Sequence, residues 1–116
     1  MSGLPVLDHA TLDRLRELNE PGEPDIVIEV LTLFLEDAPA RVAAVAAAQA
    51  AGDARGLERA AHGLKGSAGN IGALRLQALC HRIEDLGRLE EAGDPMVVLS
   101  LHEEFETLRQ EVTRLL

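Results

Sequence analysis

Apolar positions recur every three or four residues along most of this chain, the spacing of one face of a helix, and no stretch alternates as a strand would. The pattern divides into five segments. Leu12, Leu15 and Leu18 share one side of a short first helix, about 9 to 19, preceded by Pro5 and Asp8. Residues 19 to 23, with Pro21 and Gly22, read as a turn. A long second helix is expected with Pro24 at its first position, running to about Ala51 and stopped by Gly52. Pro39 falls inside it and should kink it, with a break into two helices as the competing reading. Asp53 caps a third helix over about 54 to 69, and Gly69-Asn70 supplies the next turn. The fourth covers about 72 to 92 and ends at Gly93. The fifth is capped by Asp94, has Pro95 at its first position and reaches the C-terminus. Helices joined by such short connections pack antiparallel to their neighbours, which predicts an all-α, up-and-down bundle.

The second helix is more apolar than one buried stripe requires. Ile26, Val27, Ile28, Val30, Leu31, Leu33, Phe34 and Leu35 cover about 220° of its circumference at 100° per residue. A single core-facing stripe needs roughly 100° or somewhat more. The surplus is expected either to lie beneath the first helix or to form a docking patch for another protein, and both can hold at once. The alanine-rich stretch from Ala40 to Ala51 reads as thin, closely packed helix rather than linker.

Composition narrows the function classes. The 116 residues make one domain, 1–116, whose core is Leu, Ala, Val and Ile because Phe34 and Phe105 are the only aromatics. A net charge of −9 disfavours nucleic acid and anionic lipid as partners. The charge is uneven: Arg55, Arg59, Lys65, Arg75 and Arg82 face only Glu58 between residues 54 and 82, a basic segment suited to an acidic partner or a phosphoryl group. Cys80 is the single cysteine, so no intrachain disulfide forms, which fits a reducing cytoplasm, and its spacing from Leu76 and Ile83 marks it as buried. No segment has the apolar length of a membrane span, and the N-terminus lacks the pattern of a secretion signal.

Candidate chemistry concentrates on the third helix. Leu57, Ala60, Ala61, Leu64 and Ala68 form its buried stripe, and His62 projects roughly 140° from Leu57, toward solvent. Lys65, the only lysine in the chain, lies one turn ahead, and Gly66 beside it leaves space for an approaching group. A neutral imidazole nitrogen is a nucleophile at pH 7 without a neighbouring base. Phosphoryl transfer through a loose transition state asks chiefly for positioning and positive charge. Lys65 supplies the charge; Ser67 is a possible hydrogen-bond donor in a less favourable direction. Glu58, one turn behind His62, is a candidate to accept from the other ring nitrogen and fix the tautomer, or is simply a solvated carboxylate.

The run His62-Gly63-Leu64-Lys65-Gly66-Ser67-Ala68, followed by Ile71-Gly72-Ala73, closely resembles the signature of histidine-containing phosphotransfer domains: H-x-L-K-G-S/A-A/S, then an apolar residue and Gly-Ala. The resemblance implies a four-helix bundle with an additional short N-terminal helix. It also implies a cytoplasmic, monomeric phosphorelay intermediate in which His62 accepts a phosphoryl group from a receiver-domain aspartate and passes it to another receiver. Residue by residue, His62 is the phosphoacceptor, Lys65 the charge partner and Gly66 the space-maker. In that family receivers dock on the histidine-bearing helix and the helix before it, which agrees with the apolar surplus on the second helix; Leu31, Phe34, Leu35, Arg59 and Gly69 are the candidate docking positions, with a core role as the alternative for Leu31 and Phe34. Magnesium belongs to the receiver, so the chain itself carries no cofactor, and without an ATP site it is no kinase. The initial Met favours a free-standing protein over a module of a larger sensor kinase.

Three other readings compete. A metal-binding bundle could use Glu58 with His62 and His81 with Glu84, but the order and one spacing differ from the Glu-x-x-His pairs of di-metal bundles. Gly63, Gly66, Gly69 and Gly72 resemble a nucleotide-binding loop without matching its spacing, and no strand precedes them. A receiver-binding inhibitor or scaffold would keep the fold without the chemistry, against which stands the intact set of His62, Lys65 and Gly66. His9 and His102 have no partners at useful spacing and read as solvated.

Overall fold

The computed structural model describes residues 3–116, all of whose regular structure is helical. The five helices are α1 (His9–Arg16), α2 (Ile26–Ala50), α3 (Ala54–Asn70), α4 (Leu74–Arg88) and α5 (Pro95–Leu115). Around the bundle α2 packs on α3, α3 on α4, α4 on α5, and α5 back on α2, while α1 lies against α2. This is the up-and-down four-helix arrangement with an added N-terminal helix.

Aspartates start four of the five helices. The carboxylates of Asp8, Asp25, Asp53 and Asp94 accept backbone N–H groups of Ala10, Val27, Gly56 and Met96. Such a cap contributes about 1 kcal/mol over alanine. Asp25 is therefore the cap of α2, and Pro24 stands outside the helix rather than at its first position. Pro39 leaves α2 continuous over 25 residues, so it does not divide the segment in two. Phe34 and Phe105 meet at 6.3 Å between ring centroids, joining α2 to α5.

Three helix ends share one geometry. After α2 the N–H groups of Gly52 and Asp53 bond the carbonyls of Gln49 and Ala48. After α3 those of Gly72 and Ala73 bond Gly69 and Ala68, and after α4 those of Glu90 and Glu91 bond Gly87 and Leu86. These are Schellman closures, with Gly52, Gly72 and Glu90 in the left-handed conformation. Two expected boundaries move accordingly. Gly69 and Asn70 belong to α3, whose stop is Gly72; α4 stops near Leu89 rather than Gly93, because Glu90 takes a conformation usually left to glycine. The first helix ends at Arg16, leaving Leu18 exposed instead of on the apolar side.

Gly72 also explains the Ile71-Gly72-Ala73 run. Its φ is +75°, and a methyl group there would lie 2.8 Å from Thr11 Cβ and 3.0 Å from the Asp8 carbonyl oxygen. The Asp8 N–H donates to the Gly72 carbonyl at 2.8 Å. The glycine therefore seats the N-terminal helix on the α3–α4 turn.

Candidate phosphotransfer site

His62 stands on the outer face of α3, with its side chain 68% exposed, as its angular distance from the buried Leu57, Ala61, Leu64 and Ala68 requires. Its ring is nevertheless held. Nδ1 lies 2.5 Å from Oε2 of Glu84, which projects from α4. Lys65 Nζ donates to Oε1 of the same carboxylate, also at 2.5 Å. Glu84 thus bridges the two residues that the sequence pairs one turn apart.

Glu84 is 4% exposed, and a buried carboxylate is costly unless it is paired and hydrogen-bonded. The pairing is ample. Lys65 and His62 bond it directly, His81 Nδ1 lies 3.7 Å away and Arg88 Nη2 4.0 Å. The hydrogen bond from Lys65 holds its pKa below the usual carboxylate value; burial opposes this, and the bond to His62 adds to it. Glu84 is therefore ionised at neutral pH and can only accept hydrogen bonds. In the neutral form of the His62 ring the proton therefore resides on Nδ1, facing Glu84, and Nε2 has a free lone pair.

The candidates from the sequence distribute as follows. His62 and Lys65 come together through Glu84. Gly66 is open: a methyl group there would meet nothing within 4 Å, so the chain's own packing does not demand glycine. Ser67 is turned to its own helix, its hydroxyl donating to the Gly63 carbonyl at 3.3 Å. Glu58 does not reach His62; it accepts from Arg88 Nε at 3.1 Å, and the tautomer-fixing carboxylate is Glu84. Leu31 and Phe34 are buried in the core and cannot offer a docking surface. The exposed surplus of α2 is instead Ile28, 39% exposed, and Leu33, 51% exposed, with Leu35 half-buried. Arg59 is exposed, whereas Gly69 lies beneath the Gln77 side chain. Cys80 is buried and its thiol is pushed up to about 12, first by desolvation, which suits a packing residue.

In the sequence Glu84 stands out only as a candidate metal ligand beside His81; its bonds to His62 and Lys65 are not visible there. Its signal was present but weak: a lone acid at 84 among Leu76, Cys80, Ile83 and Gly87, on the inward side of α4. Nothing local says that this carboxylate meets a histidine 22 positions earlier.

The seam between α3 and α4 is unusually close at the adjoining turn. A methyl group at Gly87 would lie 2.7 Å from both the Ala54 carbonyl oxygen and the Glu58 backbone nitrogen. Backbone therefore touches backbone one turn beyond Glu84, which sets how far that carboxylate can stand from α3. Among the described residues no helix is long and apolar enough to cross a membrane, and no group of three or more His, Cys, Asp or Glu is arranged to hold a metal.

The family model for the Hpt domain matches residues 29–115. Multistep phosphorelay regulator 1 of Schizosaccharomyces pombe is 29% identical over 91 residues, 78% of this chain and 31% of that protein. Histidine-containing phosphotransfer protein 2 of Arabidopsis thaliana is 38% identical over 69 residues, 57% of this chain and 44% of that protein. The chain thus spans less than half the length of either curated relative. The crystal structure of histidine-containing phosphotransfer protein B from Pseudomonas aeruginosa superposes with a TM-score of 0.84 at 32% identity, covering 95% of this chain and 93% of that one.

Proposed function

The chain belongs to the Hpt domain family, and from that premise we propose that it is a phosphorelay intermediate with Nε2 of His62 as its phosphoryl acceptor. The observation that carries the assignment is the bond between His62 Nδ1 and the ionised, buried Glu84.

In the forward step the Nε2 lone pair attacks phosphorus of an aspartyl phosphate on a receiver domain. The N–P bond forms as the P–O bond to the aspartate breaks, and the aspartate leaves as a carboxylate. The ring keeps its Nδ1 proton and becomes cationic. Glu84 opposes that developing charge, as the carboxylate behind a histidine does in other transfers. Lys65 holds Glu84 ionised and has two further N–H groups for the phosphoryl oxygens. Gly66 leaves the approach clear. Passing the group to a second receiver reverses the sequence. Receiver domains are the partners, and the relay runs in the cytoplasm on a monomer. Magnesium is supplied by the receiver and ATP by a kinase elsewhere.

Incubation with a receiver phosphorylated on its aspartate should label the chain, and the label should survive base and be lost in acid. His62→Gln should remove it. Undiminished labelling of that variant would refute the assignment.

A further inference from the structure

The two flanks of His62 carry charge differently. On the α4 side the Lys65 ammonium is matched by Glu84 and Arg88 by Glu58, so that flank brings little net charge to an arriving anion. On the α2 side nothing is matched. The Arg41 guanidinium reaches from α2 to α3 and lies where a Gly63 side chain would be, with Nη1 2.8 Å from that ideal Cβ position. Arg59 stands one turn behind His62. The side chains of Arg41 and Arg59 make no hydrogen bond or ion pair with any described residue.

Gly63 gives this arrangement its second support. A glycine inside a helix costs about 1 kcal/mol relative to alanine. Gly63 is not in the left-handed conformation, and the terminal nitrogen of Arg41 is the only atom a methyl group there would meet. The small residue therefore leaves a seat for the guanidinium next to the acceptor histidine.

We propose that Arg41, seated over Gly63 and assisted by Arg59, is the docking cation that recognises the acidic surface around the phosphoaspartate of the receiver; this rests on the relay reading above. A surface presenting an acyl phosphate dianion and at least two carboxylates stays net negative even with its magnesium bound. In a chain of net charge −9, two unpaired arginines beside the acceptor direct that surface to one flank.

The test is the second-order rate of transfer from a receiver domain phosphorylated with acetyl phosphate, measured over a salt series. The chains compared are the unaltered protein, Arg41→Ala, Arg59→Ala and Gly63→Ala. Arg41→Ala should lower the rate about fivefold at low salt, with the difference closing near 1 M, where charges more than about 3 Å apart are screened. Arg59→Ala should act in the same direction and less strongly. Gly63→Ala displaces the guanidinium without removing it, so it should slow transfer while holding or raising Tm. Labelling of His62 by phosphoramidate, which needs no docking, should stay within twofold in all of them. An unchanged rate in Arg41→Ala, or a loss that salt does not reduce, overturns the inference while leaving the relay reading intact. Should phosphoramidate label the unaltered chain while the receiver does not, the relay reading falls and the inference with it.

Discussion

Helix α4 has two seams, and they are built in opposite ways. Toward α3 it is clamped. Gly87 brings backbone against the backbone of Ala54 and Glu58, Arg88 bonds Glu58, and Glu84 bonds His62 and Lys65. Toward α5 it opens into a groove of about 1330 Å³ whose walls include Leu79, Arg82, Leu86, Met96 and Val97. Arg75 crosses that side to Glu104 at 3.0 Å. The clamped seam is the one that carries the candidate chemistry. The Glu84 carboxylate that holds the His62 ring stands on this clamped seam, whereas the α5 seam has only to bury apolar surface.

Changes on the α3 seam should therefore damage transfer, and changes on the α5 seam should not. Glu84→Gln should show the largest effect. It keeps the shape but removes the charge that opposes the cationic ring, and transfer should slow by about 10- to 100-fold in a rapid-quench assay. Gly87→Ala comes next, since its methyl group meets backbone that cannot swing aside. A loss of about 1–3 kcal/mol in urea unfolding is expected, with slower transfer as α4 moves off α3. Lys65→Ala should slow transfer by about tenfold and leave the bundle folded, because His62 and Arg88 still face Glu84. Arg75→Ala, on the other seam, should cost about 1 kcal/mol or less and leave the transfer rate unchanged. Transfer lost equally in Arg75→Ala and Glu84→Gln would erase the contrast between the seams.

Acid should reveal the same asymmetry. The folded pKa of Glu84 is depressed below its ordinary value of 4.5. Its stabilisation is thus fully present above about pH 4.5 and is lost as pH falls through the lowered folded value. The groups facing it are His62, Lys65, His81 and Arg88. Urea unfolding from pH 7 to pH 3 should show a flatter acid limb for Glu84→Gln than for the unaltered chain.

How much of this was legible beforehand follows from where each signal resides. Helical periodicity and the aspartate caps are local, and the five segments of the bundle could be read from them. His62, Lys65 and Gly66 lie within five consecutive positions, so one turn of helix sufficed to group them. The boundaries at Gly72 and Glu90 were missed because closing a helix depends on which residue adopts positive φ, and there the chain passes over Gly69 and Gly93. The helical wheel leaves Leu31 and Phe34 open between docking patch and core, because it gives an arc but not which part of it meets the neighbouring helices; both are buried. Glu84 was out of reach for a simpler reason. Its role exists only where α3 and α4 cross, and that crossing is set by a glycine three residues further on.

The most direct test is to locate the phosphoryl group by long-range proton–nitrogen NMR on the phosphorylated chain with nitrogen-15 in its histidine rings. The phosphoryl group should be on Nε2 of His62, with Nδ1 still protonated toward Glu84, and the unphosphorylated ring should already carry its proton on Nδ1. Phosphorus on Nδ1 of that ring, or on His9, His81 or His102, would contradict the account.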